Sequence, residues 1–316
     1  MKNIVLISGL IRNEEIFIES LKTYFQLRDT KLIDDIIVST DKHLLKEKIN
    51  TPVGNVLNER LQHFLISNHV KIIETENLSI EQVKQIDPII EKRPRNKLRK
   101  NTLTGLSLWR PMYGLKKALE QIEKDSYILK TRPDVAISPA LVKKIFSEYK
   151  IKLEGDKLLE YKIWSTGFNE KELLYIMDFS FAGKREDLMK TAHMNGIFLK
   201  WGKNSPSGVN NFNTLWWIDI FYKKYPIIKQ YYETYVNNSS TIQTYDEDLY
   251  KECMKLYYYI IDNYFIIDSA LNDFVIKQSW GKLDVFNAHD GINIPKNGRT
   301  EFKNSNWVKT KLINIY

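Results

Sequence analysis

The sequence Tyr127-Ile-Leu-Lys-Thr-Arg-Pro-Asp134 joins an apolar run to a polar turn. Tyr127–Leu129 are β-prone and apolar, so they predict a buried strand. Lys130, Arg132 and Asp134 follow directly, and Pro133 interrupts regular pairing there. Ligands of open α/β sheets bind beyond the carboxyl ends of the strands. This turn is therefore the first candidate for a binding site.

A strand, a helix and a second strand precede this segment. Ile4 to Ile7 form an apolar run that ends in Ser8-Gly9. Asn13 can cap the helix that follows, and a second buried strand is predicted at Asp35–Thr40. Two strands joined by one helix are typical of a parallel sheet.

The later segments extend this pattern. Further strands are predicted at Val70–Ile73, Leu158–Trp164 and Phe179–Ala182. Helices are predicted at Thr102–Lys124 and within Leu215–Asp273. Pro111 should kink or divide the first of these helices. We expect an α/β fold with a mixed, mainly parallel sheet flanked by helices and a helical C-terminal part. A core over residues 1–240 and a helical extension with a basic tail over 241–316 are the expected domains.

Composition describes a globular protein. The chain has 316 residues, of which 43% are hydrophobic and 27% are charged. Cys253 is the only cysteine, which excludes an intrachain disulfide and cysteine-rich zinc sites. The N-terminus is interpreted as a strand, and no apolar run reaches the ~18 residues that a membrane span needs. We therefore expect a cytoplasmic protein.

The polar turn suits phosphate chemistry. The carboxylate of Asp134 could hold a divalent cation, Mn²⁺ or Mg²⁺, that bridges a diphosphate. Lys130 and Arg132 could neutralise phosphate charge as it develops on a leaving group. The alternative is a strand-to-loop turn with Pro133, whose aspartate caps the next helix.

A second candidate lies beyond the first strand. Gly9 allows close approach of backbone to a ligand, and the start of the next helix favours an anion. Ser8, Gly9, Arg12 and Asn13 are therefore candidate nucleotide-binding residues. The stretch lacks both the dinucleotide fingerprint and the P-loop lysine.

Asp41 and Arg110 are two further candidates. Asp41 follows the second strand, where a carboxylate can accept hydrogen bonds from a base or a ribose; a helix cap is the alternative. Arg110 lies in an apolar stretch, so it either pairs with a carboxylate or binds phosphate.

The order of these segments resembles the GT-A glycosyltransferases, whose fold is Rossmann-like. More narrowly, it is similar to the WavE-type lipopolysaccharide synthesis family and its capsular relatives. That resemblance rests on Ile7-Ser8-Gly9, Arg12-Asn13-Glu14, Ile37–Thr40, Gly114-Leu115, Leu129–Asp134, Asp178–Gly183, Glu186–Leu188 and Tyr232–Tyr235. It covers roughly residues 4–240. Arg132 stands where the first aspartate of the Asp-x-Asp pair is expected, which leaves the use of a metal open.

The resemblance implies a chemistry. A sugar would pass from a nucleotide-sugar donor to a glycan or glycolipid acceptor in bacterial lipopolysaccharide or capsule. An inverting reaction needs a carboxylate base, for which Asp178 and Glu233 are the candidates. Structural roles, a helix cap for Asp178 and an ion pair for Glu233, are the alternatives.

Two other functions fit parts of the sequence. A sugar nucleotidyltransferase could share the sheet, but the loop after the first strand lacks the expected lysine. The net charge of +8 and the abundant aromatic residues allow a nucleic-acid binder, although no known nucleic-acid-binding motif is present, so no nucleic acid is expected as a partner. The basic residues of Lys92–Lys100 and of the tail after Pro295 could bring the protein to the inner face of an anionic membrane.

Overall fold

The structure is a computed structural model. It describes residues 1–11, 14–43, 56–76, 78–79, 81–82, 85, 104–168, 174, 176, 180–191, 217, 220–237, 247–267, 274–279 and 283–285. For residues 16, 104–110, 232–237, 247, 250, 274–279 and 283–285 only the backbone is described.

Strands and helices alternate through the first half of the chain. In chain order the elements are β1 (Lys2–Ser8), α1 (Glu14–Asp29), β2 (Asp35–Asp41), α2 (Glu59–Ser67), β3 (Lys71–Thr75), α3 (Thr104–Glu120), β4 (Ser126–Thr131), β5 (Val135–Ile137), α4 (Pro139–Ser147), β6 (Ile163–Ser165), β7 (Phe181–Lys184), α5 (Arg185–Thr191), α6 (Pro226–Asn237), α7 (Glu247–Tyr264), β8 (Phe265–Ile267), β9 (Phe274–Ser279) and β10 (Leu283–Val285).

Seven strands form one mixed sheet in the order β3-β2-β1-β4-β7-β6-β8. The first four run parallel to one another. β7 is antiparallel to both β4 and β6, and β8 is parallel to β6. A second sheet places β9 beside β5, which continues the chain directly after Asp134. The sheet order therefore puts β4, with its polar turn, at the centre.

The core divides into two layers, one on each face of the sheet. Alternate residues of a strand point to opposite faces, and Leu6 and Val5 of β1 belong to different clusters. The first face packs against α3 and α7 through residues such as Leu115 and Tyr257. The second face packs against α1 and α4. Both faces are therefore covered, as in other α/β folds with a parallel centre.

The predicted fold class is confirmed. The sheet is mixed and mainly parallel, helices cover it, and α6 and α7 form the helical part near the C-terminus. Helix α3 continues through Pro111 and is not divided there. In the described part of the chain, no helix is both long and apolar enough to cross a membrane. The chain beyond residue 240 also contributes strands, since β8 joins the main sheet and β9 pairs with β5.

Two buried or half-buried carboxylates hold loops to this framework. Asp187 in α5 accepts hydrogen bonds from the backbone amides of Glu160, at 2.9 and 3.0 Å, and Tyr161, at 2.9 Å. The ammonium group of Lys190 lies 2.9 Å from the same carboxylate. Asp187 lies in a segment on which the family resemblance rests, and its contacts in the structure are with backbone and lysine.

Asp156 forms the second anchor. One of its oxygens accepts the backbone amide of Leu158 at 2.6 Å, and the other accepts the Tyr264 hydroxyl at 2.8 Å. Lys224 donates to the Tyr264 oxygen at 2.5 Å and lies 3.3 Å from the carboxylate. Burial alone would raise the pKa of Asp156, but hydrogen bonds from Tyr264, two backbone amides and Lys224 hold it below its ordinary value of 3.8.

Candidate donor site at the carboxyl edge of the sheet

The loops after β1 and β4 meet at the carboxyl edge of the sheet. These two strands are parallel neighbours, with Leu6 opposite Lys130 and Ile7 opposite Thr131. The segments that follow them therefore leave the sheet side by side. This register places Ser8-Gly9 and Lys130–Asp134 at one edge of the sheet.

Gly9 lies where the two loops come close together. Its φ angle is +128°, a backbone conformation that residues other than glycine rarely adopt. Its amide donates to the carbonyl of Ser39 at 3.0 Å, which ties the loop to β2. A Cβ atom added to Gly9 would lie 3.6 Å from Cδ of Pro133. The glycine therefore lets the first loop turn sharply next to the β4 turn.

Three candidate residues share one face of the sheet. Ser8 lies two residues after Leu6, Lys130 two residues after Ile128, and Asp41 four residues after Ile37, so each shares a face of the sheet with that apolar residue. The three apolar residues all belong to the first core cluster. Ser8, Asp41 and Lys130 therefore lie on the same face, at the ends of three adjacent strands. Such a row is suited to a ligand that lies across the strand ends.

Lys130 is a buried lysine, with only 5% of its surface exposed. Its Nζ atom lies 5.1 Å from the centre of the Phe181 ring, within the range of a cation–π interaction. Buried lysines are rare because the charge loses its hydration. A cation kept here at the carboxyl edge is a feature that an anionic ligand can use.

Arg132 and Asp134 form a bidentate ion pair. Nε of Arg132 donates to Oδ1 of Asp134 at 2.8 Å, and Nη2 donates to Oδ2 at 2.6 Å. The side chain of Asp134 is 1% exposed and that of Arg132 is 16% exposed. The amide of Val135 donates to the carbonyl of Arg132 at 3.1 Å, and this turn brings the two side chains together.

The contacts described for Asp134 are with Arg132, and its role as a metal ligand stays a prediction. Divalent cations such as Mg²⁺ take several oxygen ligands, among them water. Here each carboxylate oxygen accepts an N–H group of Arg132, and the carboxylate is closed to solvent. Within the described ranges there is also no group of three or more His, Cys, Asp or Glu side chains that could share a metal ion.

A buried pair of hydroxyls lies behind the turn. Oγ1 of Thr131 and Oγ of Ser180 are 2.8 Å apart, and both residues are fully buried. Ser180 precedes β7, so this bond links the end of β4 to the start of its antiparallel neighbour. It fixes the backbone from which Arg132 and Asp134 project.

Five other candidates lie outside the described residues or are described by their backbone alone. Arg12, Asn13 and Asp178 lie outside the described residues, and their roles stay predictions. Arg110 lies in the first half of α3, and Glu233 lies in α6; their side chains are likewise outside the description. Helix α3 joins two parallel strands, so its first turns are directed toward the carboxyl edge.

Two residues at this edge were missed by sequence reasoning. Thr75 is the Cα partner of Asp41, and its buried hydroxyl has no hydrogen-bond partner in the described part of the chain. It was missed because the third strand was predicted to end at Ile73, two residues early. Phe181 was assigned to a strand, but its contact with Lys130 depends on the antiparallel pairing of β4 and β7.

No protein-family model matches the chain, and no curated protein sequence matches it. Among solved structures, it is similar to glucosyl-3-phosphoglycerate synthase from Mycobacterium tuberculosis, in complex with Mn²⁺, uridine-diphosphate and phosphoglyceric acid. The identity is 15% over 60% of this chain and 57% of that chain, with a TM-score of 0.30. It is also similar to the galactosyltransferase LgtC in complex with donor and acceptor sugar analogs, at 12% identity over 59% of each chain and a TM-score of 0.34.

A third similar structure is mouse xyloside xylosyltransferase 1, at 8% identity over 71% of this chain and 82% of that chain, with a TM-score of 0.35. The alignments with the first two structures cover less than two thirds of those proteins. At these TM-scores, function is inferred from the side chains at the carboxyl edge and not from the neighbours. The narrower resemblance to the WavE-type family stays a prediction.

Proposed function

We propose that this protein is a glycosyltransferase that moves a sugar from a nucleotide-sugar donor to a glycan acceptor. The observation that carries the proposal is the meeting of Gly9, buried Lys130 and the Arg132–Asp134 pair at the carboxyl edge of the sheet. This arrangement brings a glycine backbone, a buried lysine and an arginine together at the place where α/β sheets bind ligands.

A diphosphate is the ligand that fits these groups. Arginine binds phosphate oxygens through paired N–H donors, and a lysine adds a compact positive charge. Both act most strongly where water is excluded, as at a lysine that is 5% exposed. Ser8 and Asp41, on the same face as Lys130, are suited to the hydroxyl and amide groups of the nucleoside.

The reaction needs a leaving group that can hold negative charge. An acceptor hydroxyl oxygen forms a bond to the anomeric carbon, and the bond from that carbon to the donor's diphosphate breaks. The electron pair leaves with the nucleoside diphosphate, where Lys130 and Arg132 stabilise it. The hydroxyl proton goes to a carboxylate base, for which Asp178 and Glu233 remain the candidates.

A thermal-shift screen tests this proposal first. The ligands are uridine diphosphate, guanosine diphosphate, cytidine monophosphate and nucleoside triphosphates, each at millimolar concentration with and without Mn²⁺ or Mg²⁺. A ligand at one hundred times its Kd stabilises the native state by ~2.7 kcal/mol. We expect one nucleoside diphosphate or cytidine monophosphate to raise the midpoint of thermal unfolding. We also expect the protein to hydrolyse the corresponding sugar nucleotide slowly.

The same screen separates the rival functions. A shift only with triphosphates, with release of pyrophosphate when a sugar phosphate is added, would indicate a nucleotidyltransferase. Binding to oligonucleotides without any shift by mononucleotides would indicate a nucleic-acid-binding protein. Either result would contradict the glycosyltransferase proposal.

We also propose that the acceptor is a bacterial surface glycan or its lipid-linked precursor, met at the inner face of the cytoplasmic membrane. The support is the resemblance to lipopolysaccharide and capsule enzymes and the basic residues of Lys92–Lys100 and of the tail after Pro295, which lie outside the described residues. Sedimentation with vesicles that contain anionic lipid, at low and at high salt, tests the membrane contact. Absence of binding at low salt would contradict it.

A further inference from the structure

The polar turn after β4 is held at both of its ends. At the near end, Oγ1 of Thr131 lies 2.8 Å from Oγ of Ser180, which ties β4 to the start of β7. At the far end, the chain runs from Asp134 directly into β5. The amide of Val135, the first residue of β5, donates to the carbonyl of Arg132 at 3.1 Å and closes the turn. The placement of β5 therefore bears directly on the shape of the candidate donor site.

A hairpin from the C-terminal part of the chain pairs with β5. It consists of β9, which runs antiparallel to β5, and β10, which pairs with β9. Within the described ranges, β9 is the only strand paired with β5. The opposite residues of this ladder are Val135 and Ile276, Ala136 and Val275, and Ile137 and Phe274. The second sheet therefore joins the continuation of the polar turn to a segment far along the chain.

The register brings β9 up to the turn itself. In an antiparallel pair, opposite residues alternate between pairs that exchange two hydrogen bonds and pairs that exchange none. The Val135 amide is already used within the turn, so the mutual bonds fall on Ala136 and Val275. One residue beyond the last pair, the same register places the backbone of Lys277 alongside Asp134. The hairpin therefore lies beside the backbone that carries the ion pair.

The docking of this hairpin depends on a short ladder. β5 and β9 share three residue pairs, whereas β1 and β4 share six. β5 also has contacts of its own, since Val135 and Ile137 are buried in the second core cluster and α1 packs against the strand. A two-stranded hairpin alone is marginally stable in water. The main sheet and β5 can therefore persist while the hairpin leaves, which makes its docking a local equilibrium.

We propose that the β9–β10 hairpin is a strap, and that its docking on β5 and the binding of the donor nucleotide stabilise each other. This inference rests on the proposed function. A nucleotide that binds the turn in the shape described above binds the docked state more tightly, so it shifts the equilibrium toward docking. By linkage, docking raises the affinity for the nucleotide by the same factor. The strap makes a C-terminal segment part of the control of the donor site.

Hydrogen–deuterium exchange of the full chain tests this coupling without any variant. Exchange is followed by mass spectrometry with and without uridine diphosphate, guanosine diphosphate or cytidine monophosphate, whichever raises the midpoint in the thermal screen. We expect the amides of β5 and β9 to exchange at least about fivefold more slowly with nucleotide, the lower end of ordinary coupling between sites. The amides of α5 are the internal control and should exchange at the same rate.

A matched pair of proline variants then separates the ladder from the local effect of proline. Val275→Pro removes an amide that bonds to β5, whereas Ile276→Pro removes one that points away from β5, because successive amides of a strand point to opposite sides. In calorimetric titration we expect Val275→Pro to weaken nucleotide binding by about five- to fiftyfold and Ile276→Pro by no more than about twofold. The melting temperature of both should stay close to that of the wild type, because β9 is not part of the main sheet.

Three results would overturn the inference in different ways. If a nucleotide bound while the exchange of β5 and β9 stayed the same, and Val275→Pro bound it as the wild type does, the hairpin would be independent of the site and the glycosyltransferase proposal would stand. Equal weakening in both proline variants, together with lower melting temperatures, would assign the effect to general destabilisation. If no nucleotide bound to the wild type, the donor site itself would be wrong, and the strap with it.

Discussion

Lys130 and Phe181 are Cα partners across the antiparallel pair β4–β7, and the Lys130 ammonium lies 5.1 Å from the centre of the Phe181 ring. The ring face offsets part of the cost of burying the charge, by about 0.5–2 kcal/mol. Lys130 lies at a position where an anion is expected to bind. This relationship leads to a prediction in which binding and stability change in opposite directions.

We expect Lys130→Met to weaken nucleotide binding by about ten- to one hundredfold, because a charge-assisted contact to phosphate is lost. Methionine keeps most of the apolar volume beside Phe181, so the melting temperature should be unchanged or higher. Calorimetric titration and thermal melts measure the two effects. An equal loss of stability and binding would show that Lys130 is mainly structural.

Gly9→Ala should strain the loop after β1. At a φ of +128° a side chain costs about 1–3 kcal/mol, and relief of the strain would move the loop away from Pro133. We expect lower stability together with weaker nucleotide binding.

Gly155→Ala is the control for that variant. Gly155 also has a positive φ, +72°, and an added Cβ would meet no atom within 4 Å. It should lower stability but leave nucleotide binding unchanged. Loss of binding in both variants would mean that general destabilisation, and not the Gly9 loop, is responsible.

Asp187→Ala should destabilise the protein without removing the site. The change leaves the amides of Glu160 and Tyr161 without their acceptor, for a loss of about 3 kcal/mol. The midpoint of thermal unfolding should fall by about 5 °C. Glu154→Ala is the control, since Glu154 is 81% exposed. Unchanged stability in Asp187→Ala would contradict an anchoring role.

Asp156 predicts a dependence of stability on pH. The pKa of this group is lowered in the folded state, so its contribution is present above 3.8 and is lost as the pH falls through the folded value. Asp156→Asn should therefore lower the free energy of unfolding by about 1–2 kcal/mol at neutral pH, a value reduced by the partial exposure of the group.

The difference between this variant and the wild type should shrink in acid. Near pH 3 the carboxylate of Asp156 is increasingly protonated and its contribution to stability falls. Urea unfolding of both proteins at neutral pH and near pH 3 measures the difference. Tyr264→Phe, which removes the hydroxyl that donates to Asp156 at 2.8 Å, should shift the same transition upward in pH. A difference that stays constant with pH would contradict the hydrogen-bonded role of the carboxylate.

The parallel half of the fold could be predicted from local signals. The apolar runs of β1, β2 and β4 are separated by helical spacing, and strand order in such units is limited by simple rules. β8 and β9 could not be predicted in this way. Phe265–Ile267 continues directly from α7, and three apolar residues cannot be assigned to a strand without knowing that β6 lies beside them.

The candidate site shows the same division. The charged side chains of Lys130, Arg132 and Asp134, and their place at the carboxyl edge of the sheet, could be predicted from the sequence, because they directly follow a predicted strand of a parallel sheet. Their contacts did not follow from the sequence. The pairing of Arg132 with Asp134 depends on a turn closed by the Val135 amide, and the anchoring role of Asp187 depends on a loop distant in sequence.

The position of β8 has a consequence for how the chain is made. This strand forms one border of the main sheet, and its partner β6 is synthesised long before it. Until residue 267 has left the ribosome, β6 presents an open row of backbone hydrogen-bonding groups. Such borders pair readily with other chains. A fragment that ends at residue 240 lacks both β8 and α7, and it should therefore aggregate more on expression than a fragment that extends past β8.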